Sequence, residues 1–556
     1  MLRRKSIFTT LLAGLLALVV LCAGCGAPPA PAATSAATGT SAETASASAA
    51  ASSEPAETNP LATPMTLSIA YWGIDGAIPD GVADPLYDKL KTDFNITIEK
   101  KPTTWTDWTE KIQLWAAAGE LPDIFATDAL GKPDYANWVA NGVVRAVPAD
   151  LTPYSNMQKV YADPRAKVFE KEGKFYACPR YQYDSEKYMT APSMFVRKDV
   201  YDAAKLARQP ETMDELIAML TAFKDIPVNG KKITPLTGSS ANMLIQYVMC
   251  ANNPAYFYNG GAGNTAYVQE NGQWIPAFFS AKTLDGIKDL QAMYQAGLMD
   301  SDLFVSGNSA NGLAQFAADN AAAFVWGADP NTWANVGREW DKAHPDKPFL
   351  DNVVQLTTMK AHDGVYYQYK ESFWSESYFS SKVDDAKMDR IMRLYDFLYS
   401  QEGKDLFTLG IEGTDYTRSG DAITITRPKN DKGEFIGIAE MYPIANMMPN
   451  LATWYGEFNW TNPTLNPKIK EKTDAYLAWL DKASVAEADL NLPSFSAPLK
   501  DKFSYNAGND DVIRITLGKE DPATAWAATL KKYEDAGYKA MVEEFNTMAK
   551  AAGMIP

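Results

Sequence analysis

Gly119-Glu120-Leu121-Pro122-Asp123-Ile124-Phe125-Ala126 is the stretch on which the fold reading turns. Its glycine and proline end a helix, and the apolar run after Asp123 starts a strand. Working back toward the N-terminus, Trp108, Ile112 and Trp115 place a helix face before it, and Ile96-Thr97-Ile98-Glu99 reads as a strand before that. Leu86, Leu90 and Phe94 recur at helical spacing, with Asn95 as the stop, and Leu67-Ser68-Ile69-Ala70-Tyr71-Trp72 is the first strand, followed by a turn at Gly73 to Gly76. Strand, helix, strand, helix, strand predicts a parallel sheet flanked by helices, an α/β fold.

The alternation continues downstream. Ser193 to Arg197 reads as a strand, and Thr212-Met213-Asp214-Glu215 fits a capping box ahead of Leu216, Met219, Leu220 and Phe223. Further helices are expected at Leu284 to Ala296, at Met388 to Leu398, and through Met541, Val542, Phe545 and Met548. The chain shows no internal repeat and no heptad run.

At 556 residues the length favours two large lobes, each with its own core. Hydrophobic content of 46% with 22% charged residues describes a folded body. The net charge of -16 repels polyphosphate, so no nucleic-acid partner is expected. Arg3, Arg4 and Lys5 precede the apolar stretch Ile7 to Val20, the pattern of an export signal over residues 1–25. An uncleaved signal anchor is the alternative, and both export the protein. Residues 26–64 are nearly all Ala, Ser, Thr, Pro, Gly and Glu, which cannot form a core and predicts a disordered leash. Cys178 and Cys250 lack metal-ligand spacing and predict two buried thiols, with a single disulfide as the alternative. No metal and no cofactor are expected. His344 and His362 fall in turn-rich segments and are expected to be solvated.

Several motifs carry a family resemblance. Leu21-Cys22-Ala23-Gly24-Cys25 resembles the lipobox of bacterial lipoproteins, with Cys25 as the lipidated residue and Cys22 where leucine is usual. Gly119 to Ile124, Glu172-Gly173-Lys174-Phe175-Tyr176-Ala177, and Met194-Phe195-Val196-Arg197-Lys198-Asp199-Val200 resemble, in order, motifs of the family 1 extracellular solute-binding proteins of ATP-driven importers, the class that includes maltose-binding protein. Leu394 to Ser400, Gln401-Glu402-Gly403 and Gly410 to Tyr416 resemble its large oligosaccharide-binding lipoprotein branch. The resemblance implies a periplasmic-binding-protein-like fold of type II: two lobes with mixed sheets flanked by helices, joined by three hinge crossings. These are expected near Arg180 to Tyr188, near Tyr366 to Ser372 and between Gly410 and Ile438, which makes one lobe of 65–185 with 370–415 and the other of 186–369 with 416–556. It further implies a carbohydrate ligand, permease subunits of an importer as partners, a monomer, and an anchor of palmitate-type acyl chains at Cys25 on the extracellular face of a Gram-positive type membrane.

A sugar presents hydroxyls on its rim and C–H groups on its faces, so its site needs aromatic plates and planar polar groups. By resemblance the turn after the first strand faces the cleft, which nominates Tyr71, Trp72 and Asp75. Thr127 and Asp128 follow the third strand, where open α/β sheets place ligands, although Asp128 serves equally as a helix cap. Pro235 to Asn242 ends a short strand in a polar turn, nominating Ser239 and Asn242. Phe324 to Trp333 resembles a strand and turn supplying a stacking tryptophan, for which Trp326 and Trp333 compete. Arg180 and Tyr181 belong to the first crossing, where Arg180 either forks to ligand or pairs with Asp184 or Glu186, and Trp374 follows the second. Met447 to Tyr455 is an aromatic loop at the rim. The rival reading is an extracellular glycoside hydrolase using Glu371 and Glu376, but no nucleophile elbow or HExxH motif appears. A second rival keeps the fold and changes the ligand to a peptide or a uronate oligosaccharide.

Overall fold

The computed structural model describes residues 59–556 apart from 131, 182–187, 189–191, 257–265, 307–310, 369–372, 432, 486–488, 490–491 and 507–508. The export signal, Cys25 and most of the proposed leash lie outside the described residues. The compact unit that carries both lobes includes Asn59 to Thr63, which the composition assigns to the leash. The buried guanidinium of Arg390 donates to the carbonyls of Pro60 at 2.9 Å and Thr63 at 3.0 Å, and Asn95 Nδ2 holds Leu61 O at 3.0 Å. A buried guanidinium must spend its donors, here on backbone carbonyls, and so it pins the last residues of a segment that has no core of its own.

The first lobe is built on a five-stranded sheet. Strands β1 (Met65–Trp72), β2 (Ile96–Thr103) and β3 (Ile124–Thr127) run parallel, β1 pairing Met65 with Ile96 on one side and Ile69 with Ile124 on the other. Helices α1 (Pro85–Phe94) and α2 (Trp108–Ala118) form the crossovers, and Asp84 caps α1 by accepting from Leu86 and Tyr87. The turn expected after β1 is instead one short helical turn, Ile74–Ala77, entered through Gly73 at φ 79°. Strand β4 (Cys178–Tyr181) closes the far edge.

The second lobe has a four-stranded sheet. Strand β5 (Pro192–Arg197) pairs antiparallel with both β7 (Ala321–Gly327) and β8 (Val353–Leu356), and β7 is parallel to β6 (Thr234–Gly238). Helix α3 (Met213–Phe223) starts at Thr212, whose hydroxyl accepts from Glu215 N. The Glu215 carboxylate takes the Glu211 N–H at 2.8 Å instead of closing the box on Thr212. Helix α4 (Ala241–Asn252) follows β6, and α5 (Pro330–Ala343) follows β7.

The chain then returns to the first lobe. Strand β9 (Phe373–Phe379) lies antiparallel between β3 and β4, giving the order β2-β1-β3-β9-β4, and α6 (Asp385–Leu398) packs on that sheet. The third crossing lies further along the chain than expected. Ile438, Tyr442, Ile444, Met447, Met448 and Leu451 all join the core of the first lobe, whereas Ile469 packs with Phe195 and Trp333 of the second. Crossing therefore occurs between Tyr455 and Ile469, not between Gly410 and Ile438, and 438–455 belongs with the first lobe. Apolar spacing marks a segment as buried without naming the sheet that buries it, and this is why the boundary was not legible. Leu492 to Ile555 completes the core of the second lobe.

Cys178 and Cys250 are free buried thiols, in β4 and α4 respectively, and burial pushes both up to about 12. His344 is not solvated. Its ring stacks on Trp340 at 4.4 Å, and Nε2 lies 2.7 Å from Asp319. His362 is exposed, as expected.

Candidate functional site

The C-terminal ends of the parallel strands of the first lobe present an aromatic platform. Tyr71 and Trp72 end β1, their rings stacked at 4.2 Å. The turn after β2 is tied by Thr104 N donating to Asp107 Oδ1 at 2.7 Å, and it carries Trp105 and Trp108, whose rings lie 4.7 and 5.2 Å from Trp72. Trp454, from the loop after the 438–451 segment, lies 6.4 Å from Trp72 at an interplanar angle of 22°. Trp105 is 51% exposed, an unusual cost for an indole unless a partner covers it.

Arg180 holds this platform from beneath. It is fully buried, its guanidinium 4.8 Å from the Trp72 ring and 4.5 Å from Trp454. It donates to Tyr71 OH at 3.3 Å, to Ser375 Oγ and to Asn450 O. Burial pulls its pKa below the ordinary arginine value, with the fields of Tyr71, Tyr395 and Glu376 opposing, and burial pushes Tyr71 up to about 12. Ser375 sits at φ 58°, where the register of β9 against β4 shifts between Phe373 and Glu376. A bulge re-aims a side chain in this way, here toward the arginine. Asp184 and Glu186, the expected ion-pair partners, lie outside the described residues. Tyr181 is buried, with Arg165 4.4 Å over its ring, and its carbonyl anchors the Trp454 loop by accepting from Thr453 Oγ1 and Trp454 N, both at 3.0 Å.

Glu376 organises the neighbouring strand end. Its carboxylate, 2% exposed, accepts from Ala129 N at 3.1 Å, Leu130 N at 3.4 Å and Tyr378 OH at 2.8 Å. Burial pushes it up to about 7 despite those donors, and Asp128 adds to the rise. The loop so held carries Thr127, which is buried, and Asp128, which pairs with Lys132 at 2.8 Å. The helix at Pro133–Ala140 has no side-chain cap, so capping is not what occupies Asp128. Asp75 is exposed, 3.6 Å from Lys100.

In the second lobe Ser239 and Asn242 are half-buried around the start of α4, and Asn242 accepts from Asn509 Nδ2 at 3.0 Å. The competing tryptophans separate. Trp333 is fully buried against Phe195 and Phe349, at 5.1 and 5.5 Å, with no ring face left for a ligand, while Trp326 at the end of β7 is half-buried. The side chain of Trp374 and all of Glu371 lie outside the described residues.

A crevice of about 970 Å³ runs between the lobes. The second lobe contributes Asp329, Asn331, Asn335 and Arg338, and the first contributes Phe407, Arg427, Asn446, Asn450, Trp454 and others. Trp454 and Asn450 thus belong both to the crevice and to the Arg180 assembly. Sequence reasoning placed the Trp454 loop only at the rim and missed Trp105, Arg338 and Arg427. Trp105 had a signal: Trp105-Thr106-Asp107-Trp108 follows the carboxyl end of a parallel strand, where such sheets bind ligands. Among the described residues no cluster of three or more His, Cys, Asp or Glu could hold a metal.

Two sheets with a crevice between them make a two-lobed architecture, and the profile of the bacterial extracellular solute-binding proteins matches residues 73–355, just over half the chain. The chain belongs to that family. The solute-binding protein is 22% identical over 486 residues to the polygalacturonan/rhamnogalacturonan-binding protein YtcQ of Bacillus subtilis, a match covering 82% of this chain and 87% of the relative. It is 24% identical over 231 residues to the fructooligosaccharide transporter substrate-binding protein FusA of Streptococcus pneumoniae, covering 37% of this chain and only 41% of FusA. Solved structures share the fold. Alginate-binding protein AlgQ2 superposes with a TM-score of 0.65 at 15% identity, covering 88% of this chain and 98% of that one. FusA of S. pneumoniae in complex with kestose gives 0.60 at 17% identity, covering 88% and 99%.

Proposed function

We propose that this solute-binding protein is the extracellular receptor of an ATP-driven importer, that it captures an oligosaccharide in the crevice between its lobes and hands it to membrane permease subunits, and that it does no covalent chemistry. The observation that carries this reading is the Trp72, Trp105, Trp108 and Trp454 platform, with Trp105 half open to solvent, beside a crevice lined with asparagine amides. Indole faces stack on sugar C–H surfaces, and amides serve as both donor and acceptor to hydroxyls. Trp105, Trp326 and Trp454 act as stacking plates, Asp75, Asp128, Ser239 and Asn242 contribute polar contacts, and Arg180 and Tyr181 with the buried Trp72 position the platform. The sugar-binding names of its relatives agree with this assignment. Micromolar capture corresponds to about -8 kcal/mol, within reach of a few stacked rings and desolvated hydrogen bonds.

Ligand touching both lobes stabilises a closed form over an open one, and a permease that reads only the closed form is thereby presented with loaded receptor. Cys25, lipid-modified and left as the mature N-terminus by cleavage after Gly24, tethers a monomer to the outer face of a Gram-positive type membrane. A hydrolase reading finds little support at Glu376, which lies 2% exposed and engaged by three donors. The test is a thermal-shift screen over oligosaccharides, with small-angle scattering on any hit. A raised melting temperature with a smaller radius of gyration and no new reducing ends supports the receptor. Turnover of the sugar, or no response to any oligosaccharide, refutes it.

A further inference from the structure

The interlobe crevice is lined by two guanidinium groups, one from each lobe. Arg338 lies on α5 of the second lobe, and Arg427 follows the hairpin Tyr416–Ile425 in the first. The chain carries 68 acidic against 52 basic residues, so its arginines meet carboxylates readily: Arg145, Arg208, Arg393 and Arg514 each do. Among the described residues Arg338 and Arg427 do not. Arg338 donates, among the described residues, only to the side-chain oxygen of Asn335, at 3.0 Å. Arg427 spends Nε on Ile436 O at 2.7 Å and Nη1 on Leu409 O at 3.4 Å, which leaves Nη2 over.

Among the described residues neither acid lining the crevice forms an ion pair with these guanidiniums. Asp329 caps α5, accepting the N–H of Thr332 at 3.0 Å and its hydroxyl at 2.5 Å, and Glu440 receives the Gly437 N–H at 3.4 Å. Asp415, whose field acts on Arg427, is held by Ile411 N at 2.7 Å and by Tyr442 OH at 3.0 Å. Neutral hydroxyls both donate and accept, and the asparagine amides of the crevice answer both needs without a cation. This crevice adds to those amides two guanidinium groups that no carboxylate of the described residues pairs with.

We propose that the ligand of this crevice is a carboxylate-bearing oligosaccharide, one built from uronic acid residues, held from one side by Arg338 and from the other by Arg427. The inference rests on the receptor reading above and narrows its substrate class. The fork geometry of guanidinium matches a carboxylate, and the charge-assisted bonds so formed are stronger than those to hydroxyls. Because the two cations stand on different lobes, a bound carboxylate also removes their mutual repulsion as the lobes approach, which couples ligand charge to closure. The acidic surface of the chain opposes approach of an anion only over about a Debye length, roughly 8 Å at physiological salt, and leaves contact pairing in the crevice little affected.

Isothermal titration of the full mature chain decides the matter. The probes are tetrasaccharides of galacturonate, glucuronate and mannuronate, each paired with its carboxyl-reduced neutral counterpart, and a sulfated neutral tetrasaccharide. At least one uronate is expected to bind tenfold or more tightly than its reduced counterpart, and Arg338→Gln, an exposed position whose loss does not threaten folding, is expected to shrink that ratio at least fivefold. Arg427→Lys, which keeps the charge and loses the fork, is expected to shrink it as well. Equal or tighter binding of the reduced sugars, an equal gain from sulfate, or an acid-to-neutral ratio unchanged in Arg338→Gln overturns the inference and leaves the receptor reading standing. Failure of every sugar, acidic and neutral, overturns both.

Discussion

Replacing Glu376 by glutamine is expected to remove a defined part of the pH dependence of stability. The carboxyl is pushed up to about 7 in the fold from an ordinary value of 4.5. A raised folded value means that the folded state holds the proton more tightly than the unfolded chain. Its contribution is therefore fully present below pH 4.5 and is lost as pH rises through 7. The whole span corresponds to about 3 kcal/mol at 1.36 kcal/mol per unit, of which about 2.5 kcal/mol falls between pH 5 and 8. Glutamine with its oxygen in place of Oε2 still accepts from Ala129 N, Leu130 N and Tyr378 OH, so the loop after β3 retains its anchor without a titrating group.

Thermal melting followed by tryptophan fluorescence at pH 5, 6, 7 and 8 reads this out. Two lobes need not melt as one, so the quantity to compare is the change in the first-lobe midpoint with pH, mutant against wild type. At about 2–4 °C per kcal/mol for a unit of this size, wild type should lose about 5–10 °C more than Glu376→Gln between pH 5 and 8. Parallel pH profiles for the two proteins would falsify the assignment of a buried, proton-holding carboxyl. A glutamine variant that is less stable at every pH by a constant amount would likewise show that the donors, not the desolvation, dominate the site.

Two further substitutions separate packing from binding. Trp333→Ala, at a fully buried ring, should cost about 3–5 kcal/mol of stability, measurable as a drop in melting temperature without ligand, whereas Trp326→Ala should leave that temperature nearly unchanged and weaken sugar binding about tenfold by calorimetry. Arg180→Lys keeps the charge but loses the planar group between Trp72 and Trp454 and the fork that reaches Tyr71, Ser375 and Asn450. It should destabilise by about 3 kcal/mol and lower affinity through a displaced Trp454 loop, so equal affinity at full stability would contradict the positioning role.

What the sequence disclosed follows from the range of the interactions involved. Helices and strands up to Phe223, and later ones such as α6, announced themselves through local periodicity, and ordered motifs carried the two-lobed architecture. The tryptophan pair was also decidable from local pattern: Trp333, Val336, Gly337 and Trp340 lie three or four residues apart on one face of α5, a core stripe, while Trp326 stands at a strand end. Partnerships across long separations were not decidable. Arg390 meets Pro60 and Thr63 some 330 residues away, and this turned the last residues of an apparently featureless leash into part of the body. Arg180 meets Asn450 across 270 residues, and Glu376 meets Ala129 across 247.

The same distinction governs the site. An aromatic residue at the end of a parallel strand is a local fact, and Tyr71, Trp72 and the overlooked Trp105 could all be found that way. Whether an arginine is free to meet a ligand depends on which acids fold beside it, and in a chain with more acidic than basic residues the default expectation is a pair. Arg180 shows how burial overrides the obvious role: a fork expected to reach the ligand is sealed beneath two indoles and spends its donors on a hydroxyl, a phenol and a carbonyl. Arg338 and Arg427 show the converse, since only the fold reveals that no carboxylate of the described residues pairs with them. Specificity in this receptor is therefore carried by groups whose sequence neighbourhoods are ordinary, while the aromatic surface that would stack on almost any sugar is the part that local sequence advertises.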